Sequence, residues 1–214
     1  MSRLPAPNDI TYIEKISSER EKLILEMEVY ARENRVPILD KTSSRFLEML
    51  VALYKPNKVL EIGTAIGYSS ILIAENLSET SMLDTIEVDE TMYKTALENF
   101  EKSKNKSKIN IIFDDAVKYL SESDVRYDMV FLDCDKEIYP ELFEIIIKIL
   151  KTGGVFIADN LLWHGYAAAE EVPEKYKESV KAIRNFNIMF LNNKVLKSEL
   201  IPIGDGIGLA IKLA

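Results

Sequence analysis

Four side chains in this sequence are hard oxygen or amine groups placed just behind apolar runs. Asp133 and Lys136 follow the run 128–132; Asp159 and Asn160 follow the run 154–158. In an open sheet of parallel strands, ligands gather beyond the carboxyl ends of the strands. If these two runs are neighbouring strands, Asp133, Asp159 and Asn160 converge. Three such oxygen donors suit a divalent cation such as magnesium, manganese or calcium, with water completing the shell, and do not suit zinc. One Asp at a strand end is ordinarily a loop cap; three oxygens beside a cleft ask for more. Lys136 lies a turn or less from Asp133. In a partly dry cleft beside a cation it can take a proton from a substrate hydroxyl. The alternative is an ion pair with Asp133 or Asp135.

A second group follows three other apolar runs. Val59-Leu60-Glu61-Ile62-Gly63-Thr64-Ala65-Ile66-Gly67-Tyr68-Ser69-Ser70 reads as a strand, a glycine-punctuated turn and a helix start. Gly63 and Gly67 let backbone approach a ligand closely. Ser69 and the helix N-terminus can meet a carboxylate, and Glu61 can accept from an ammonium group. A ligand with an amino-acid end satisfies both. Glu87, within Ile86-Glu87-Val88-Asp89, can bind both hydroxyls of a ribose, because Asp89 is better placed to cap the next helix. In Asp114-Asp115-Ala116, one carboxylate can accept from an adenine amino group, or cap a helix.

These residues need a scaffold that delivers them to one edge. Apolar runs suited to buried parallel strands lie at 58–62, 83–88, 109–113, 128–132 and 154–158. Helical patterns lie between them near 68–77, 90–104, 115–121 and 138–150, and a further helix near 173–191. This alternation predicts a doubly wound α/β sheet with helices on both faces. Gly153-Gly154 reads as the turn into the fifth strand. Two late strands, near 194–202 and 207–213, are joined at Gly204-Asp205-Gly206, a hairpin signal. Ahead of the sheet, 9–33 reads as one long amphipathic helix. Ile13, Ile16, Leu23, Ile24, Met27 and Tyr30 form its apolar stripe, for the core or a dimer interface. Pro37 breaks it. Thr42 or Ser43 caps a second helix carrying Phe46, Leu47, Leu50 and Val51. The 214 residues suffice for one domain: a helical cap over 1–55 and a ligand-binding core over 56–214.

Composition narrows the chemistry. One histidine, His164, leaves little for a histidine-rich zinc site or a Ser-His-Asp triad. One cysteine, Cys134, allows no internal disulfide. With no leader-like start and no apolar run near bilayer length, the expectation is a cytoplasmic protein without a membrane segment. A net charge of −8 disfavours broad nucleic-acid binding. Lys102, Lys104, Lys106 and Lys108 form the one basic string, read as a solvated helix end and loop.

Five ordered motifs carry a resemblance: residues 59–70, 86–89, Phe131-Leu132-Asp133-Cys134-Asp135-Lys136-Glu137-Ile138-Tyr139, Ala158-Asp159-Asn160-Leu161-Leu162-Trp163-His164-Gly165, and Gly204-Asp205-Gly206-Ile207-Gly208-Leu209-Ala210-Ile211-Lys212. From about residue 30 onward the chain resembles the cation-dependent O-methyltransferases of catechol and caffeoyl-CoA type. The resemblance implies the class I methyltransferase fold, a Rossmann-like sheet of seven strands, parallel except for a C-terminal antiparallel hairpin strand. It implies S-adenosylmethionine as donor, with Glu61, Gly63 and Ser69 at the methionine end, Glu87 at the ribose, Asp115 and Ala116 at the adenine, and Thr64, Gly67, Tyr68, Val88 and Asp133 also against the donor, Asp133 counting among the catalytic residues as well. It puts Asp133, Asp159 and Asn160 on the metal and Lys136 in the role of catalytic base. Trp163, His164 and Tyr139 are the expected acceptor-pocket residues, and a homodimer is expected. Two acceptors stay open. The 131–139 string and the glycine-rich ending resemble the small-molecule branch. Glu33-Asn34-Arg35-Val36-Pro37-Ile38-Leu39-Asp40 resembles a bacterial branch that methylates 5-hydroxyuridine in the transfer RNA anticodon loop. A noncatalytic S-adenosylmethionine-binding regulator is disfavoured, because it would not need the four-residue set. An NAD-dependent oxidoreductase is disfavoured by Ala65, which stands where its loop would need glycine.

Overall fold

The computed structural model describes residues 7–214. Three helices come first: α1 (Pro7–Ile16), α2 (Lys22–Asn34) and α3 (Lys41–Tyr54). The alternating part follows: β1 (Lys58–Ile62), α4 (Tyr68–Asn76), β2 (Met82–Glu87), α5 (Glu90–Lys102), β3 (Ile109–Phe113), α6 (Ala116–Ser121), β4 (Tyr127–Leu132), α7 (Tyr139–Ile149) and β5 (Leu150–Ala158). Then come α8 (Lys177–Asn192), β6 (Leu196–Ile201) and β7 (Ile207–Lys212). The seven strands form one sheet in the order β3-β2-β1-β4-β5-β7-β6. All neighbours are parallel except that β7 runs antiparallel to both β5 and β6. The class I methyltransferase expectation is met.

The strand order fixes the functional edge. β1 lies between β2 and β4, so the chain winds outward in both directions from it, and a crevice opens beyond its carboxyl end. Register carries the edge across the sheet: Ile62 pairs Leu132, and Leu132 pairs Ala158. The residues after those positions, Gly63, Asp133 and Asp159, therefore stand side by side. Each sheet face has its own core. One holds Tyr139, Phe143, Phe156, Phe186 and Phe190 under α7 and α8. The other holds Ile24, Met27, Leu47, Val51 and Ile71 under α2, α3 and α4. Buried on both faces, β1 has no polar alternation, and Val59, Leu60, Glu61 and Ile62 are all buried.

Four sequence expectations change. The long helix over 9–33 is two helices, interrupted at Ser17–Glu21. Tertiary contacts override the periodicity there: Arg20 bonds Glu48 and donates to Ser44 Oγ at 2.7 Å, and Arg45 bonds the Ser18 carbonyl. Of the apolar stripe, Ile24 and Met27 are core, while Ile13, Ile16 and Tyr30 are exposed. The cap of α3 is Asp40 rather than Thr42 or Ser43; its carboxylate accepts from both of their backbone N–H groups. Finally, Gly153-Gly154 is an irregularity inside β5, where Asp128 alone on β4 faces four residues of β5, 151–154. No helix among the described residues is long and apolar enough to cross a membrane.

Candidate active site

A cleft of about 840 Å3 opens beyond the carboxyl ends of β1, β2, β3, β4 and β5. One end is built by the turn after β1. Gly63 has φ +101°, and a methyl group there would overlap the Asp133 backbone carbonyl. The turn is pinned by Gly63 N–H to Ile86 O at 3.1 Å, and the next strand end by Asp133 N–H to Ile62 O at 2.9 Å. Beneath it sits Glu61, fully buried. Its Oε2 accepts from Ser70 Oγ and, at 2.6 Å, from Thr85 Oγ1; its Oε1 has no partner among the described residues. Burial pushes the Glu61 carboxyl up to about 7, against the lowering by Ser69, Ser70 and Thr85 and with a further push from Asp133. Thr64, Tyr68 and Ser69 line the cleft. Gly67 does not: at φ +84° it caps α4, and a Cβ there would come within 2.5 Å of the Phe100 ring, so its bareness serves packing.

Glu87 is held rigid at the next strand end. Its Oε2 accepts from Ala65 N–H at 2.7 Å, and its Oε1 from Val88 and Asp89 N–H at 2.9 and 2.8 Å. Asp89 caps α5 as the sequence indicated. At the third strand end Asp115 Oδ1 caps α6 through Lys118 N–H, and Asp114 pairs Lys118 Nζ at 3.1 Å. Both carboxylates and Ala116 line the cleft.

The other end holds the acidic set. Lys136 is buried, and its Nζ donates to Asp133 Oδ1 and Tyr139 Oη, each at 2.8 Å. The Asp133 ion pair therefore forms, and Asp135 takes no part in it. An ammonium has three donors, so one position remains on a residue that lines the cleft. Asp159 is 4% exposed and its Oδ1 has no partner among the described residues. Burial, then the neighbouring Asp133, pushes its carboxyl up to about 7. Asn160 follows at φ +61°, also on the cleft wall.

The expected acceptor-pocket residues separate. Trp163 lines the cleft, its Nε1–H donating to Ser179 Oγ at 2.9 Å and its ring 5.7 Å from Lys136 Nζ. His164 is exposed at the rim and off the cleft wall. Tyr139 is fully buried and off the wall too, contrary to expectation. It opens α7, whose apolar face forms the core, and its hydroxyl bonds Lys136 on one side and the Leu132 and Asp159 carbonyls on the other. The remaining walls come from segments that sequence reasoning passed over: Val36–Leu39 between α2 and α3, and Lys175-Tyr176 before α8. Pro37 signalled a turn but not its position; Lys175 and Tyr176 were read only as part of the helix expected near 173–191, whereas a 3-10 turn over Glu174–Tyr176 holds them. Burial pushes the Cys134 thiol up, which leaves it an inert wall group.

Comparison with known proteins agrees with this geometry. A family model described as O-methyltransferase matches residues 14–213. A caffeoyl-CoA O-methyltransferase of Populus kitakamiensis is 33% identical over 177 residues, covering 79% of this chain and 75% of the relative. A tapetum-specific methyltransferase of Arabidopsis thaliana is 34% identical over 176 residues, covering 79% and 76%. The crystal structure of a Bacillus cereus O-methyltransferase in complex with SAH superposes with a TM-score of 0.84 at 24% identity, covering 94% of this chain and 96% of that one. The model spans nearly the whole chain, and the chain belongs to the O-methyltransferase family as an S-adenosylmethionine-dependent enzyme.

Proposed function

We propose that this enzyme is divalent-metal-dependent and methylates one hydroxyl of a small catechol-like or caffeoyl-type acceptor. The observation that carries the reading is Asp159 Oδ1, a buried carboxylate oxygen without a partner among the described residues, beside the carboxylate of Asp133. Leaving such a group buried and unpaired is unfavourable, so the pair fits a resident cation. Asp133, Asp159 and Asn160 would hold it through hard oxygens, the donor type magnesium, manganese or calcium prefers. Such a cation, if held there, would supply Lewis acidity to the acceptor hydroxyl.

The chain's own groups do the rest. Glu61 is buried beneath the cleft wall rather than on it, and its unpartnered Oε1 is what supports assigning it the ammonium of S-adenosylmethionine; Ser69, on the wall at the start of α4, takes the carboxylate. Glu87, locked by three backbone N–H groups, presents its remaining lone pairs to the ribose hydroxyls. Asp115 and Ala116 take the adenine edge. Lys136 is the group assigned to take the hydroxyl proton at Nζ, and Asp133 and Tyr139 orient that nitrogen. Trp163 and Tyr176 offer flat apolar faces to an aromatic acceptor. Holding acceptor and donor at attack distance supplies much of the rate. The basic string favours a small acceptor over RNA, because three of its four cations are engaged: Lys104 with Glu21, Lys106 with Glu101, and Lys108 with the Leu77 carbonyl. The reading includes a homodimer, for which the exposed Tyr12, Ile13 and Ile16 of α1 supply apolar surface.

The test is methyl transfer to a catechol, a caffeoyl thioester and hypomodified transfer RNA, each with magnesium or with a chelator. We expect metal-dependent product on a small acceptor, lost in Asp159→Asn. Product on RNA alone, or full activity of Asp159→Asn under chelation, overturns the reading.

A further inference from the structure

The loop after β5 is bent in an unusual way. Asn160, Trp163 and His164 all have positive φ, at 61°, 46° and 57°. Non-glycine residues stay in that region only where their surroundings over-determine them. Here the surroundings come from two elements. α8 contributes Ser179 Oγ, which accepts from Trp163 Nε1 at 2.9 Å, and Asn187 Nδ2, which donates to Leu161 O at 2.9 Å. The turn between β6 and β7 contributes more. Gly206 O accepts from Leu161 N–H at 2.9 Å, and Asp205 O from Leu162 N–H at 2.8 Å. The Asp205 carboxylate then takes His164 N–H with both oxygens, at 2.7 and 2.9 Å. That is a charge-assisted bond to the backbone of a left-handed residue.

The same turn touches the opposite wall of the cleft. A methyl group on Gly204 would overlap the Asp40 carboxylate and the Ser43 hydroxyl at the start of α3. Leu39, just before that cap, lines the cleft. A Cβ on Gly206 would lie 2.6 Å from Leu162 Cγ. The turn is thus wedged between the segment carrying Leu39 and the loop carrying Asn160 and Trp163.

We propose that Asp205 is a positioning residue for the acceptor side of the site: its carboxylate clamps the strained loop so that Asn160 and Trp163 face the cleft. The proposal rests on the reading of that side as the place where cation and acceptor bind. Trp163 is the sole tryptophan of the chain, so its fluorescence reports on the loop directly, with no metal, donor or acceptor present. In Asp205→Ala we expect faster acrylamide quenching of Trp163. We expect acceptor KM and magnesium half-saturation to rise about tenfold or more, the scale of a lost charge-assisted hydrogen bond. The S-adenosylmethionine Kd, measured without magnesium and set at the far end of the cleft, should stay within about twofold. Asp205→Asn, which keeps one accepting oxygen, should fall between wild type and Ala in quenching and KM. If the Ala variant does not fold, the Asn variant carries the test alone.

Unchanged quenching in the folded variants overturns the clamp. A loosened loop with unchanged acceptor KM overturns the positioning role, and so does a parallel loss of donor affinity. Failure of the underlying metal reading is seen separately, as Asp159→Asn retaining activity under chelation.

Discussion

Glu61 offers the sharpest quantitative test of the donor end. Its carboxyl is fully buried, with Oε1 unpaired, and burial raises it from the ordinary 4.5 to about 7. Free enzyme below neutrality therefore carries Glu61 protonated, whereas an ammonium at Oε1 requires the carboxylate. Donor binding must then release a proton in acid solution. The apparent affinity scales with the fraction of enzyme in the competent form, so it should improve about fifteenfold between pH 5.5 and 7. That window stays below the donor's own α-amino group, which titrates near ~8. Calorimetry in two buffers of different ionisation heat gives both the affinity and the proton count. Glu61→Gln should bind weakly at both pH values, without the slope and without proton release. Stability supplies a second reading of the same shift. The folded value lies above the unfolded one, so the protonated Glu61 contributes stability that is complete below 4.5 and lost as pH rises through about 7. A shift of this size corresponds to about 3 kcal/mol at ~1.36 kcal/mol per unit. The thermal midpoint of free wild type should fall across that window more than that of Glu61→Gln. A Gln variant that kept both the affinity slope and the proton release would refute the assignment of the ammonium to Glu61.

Two further substitutions probe the walls. Tyr139→Phe removes the 2.8 Å partner of Lys136 Nζ and a donor to the Leu132 and Asp159 carbonyls. Losing such buried bonds is worth about 1–3 kcal/mol, so kcat should fall about tenfold to hundredfold while donor Kd holds; an unchanged kcat removes Tyr139 from the orientation of Lys136. Gly63→Ala forces a side chain onto φ +101° and into the Asp133 carbonyl, a backbone atom that cannot swing aside. The expected result is a lower thermal midpoint, by at least about 2 kcal/mol of stability, together with loss of donor binding by calorimetry; wild-type values for both would show that the turn tolerates a Cβ.

Much of the fold was legible because buried parallel strands advertise themselves as apolar runs, and the residue behind each run is delivered to one edge whatever the detail. The five runs and the closing hairpin correspond to β1–β7 with small shifts in bounds. Periodicity misled where tertiary contacts decide: the 9–33 pattern is continuous in sequence, yet Arg20 and Arg45 pull the chain out of helix at Ser17–Glu21. Tyr139 was misplaced for the opposite reason. The resemblance of the 131–139 motif drew it toward the pocket, although Tyr139, Leu142, Phe143 and Ile146 form one apolar helical stripe that already marked it as core. Lys175 and Tyr176 fell inside the helix expected near 173–191 and so drew no site role; a 3-10 turn over Glu174–Tyr176 ahead of α8 carries them instead onto the cleft wall.

The charge pattern of the cleft links its two ends. Glu61 and Asp159 sit on opposite sides of Asp133, and both are pushed up to about 7 by burial with Asp133 adding to each. Within this group the one cation bonded to Asp133 is Lys136. Three carboxylates that close repel when all are ionised, and low local dielectric strengthens the repulsion. Any ligand that ionises them must bring positive charge. An ammonium at Glu61 relieves one side of Asp133, and a cation at Asp159 relieves the other. Each offsets part of the negative field of Asp133 that opposes ionising the carboxylate at the other end, so occupation of one end favours occupation of the other. Such coupling is reciprocal by linkage. Donor Kd should therefore tighten when magnesium is present, and magnesium half-saturation should fall by the same factor when donor is bound. Asp133 is the residue through which that exchange passes.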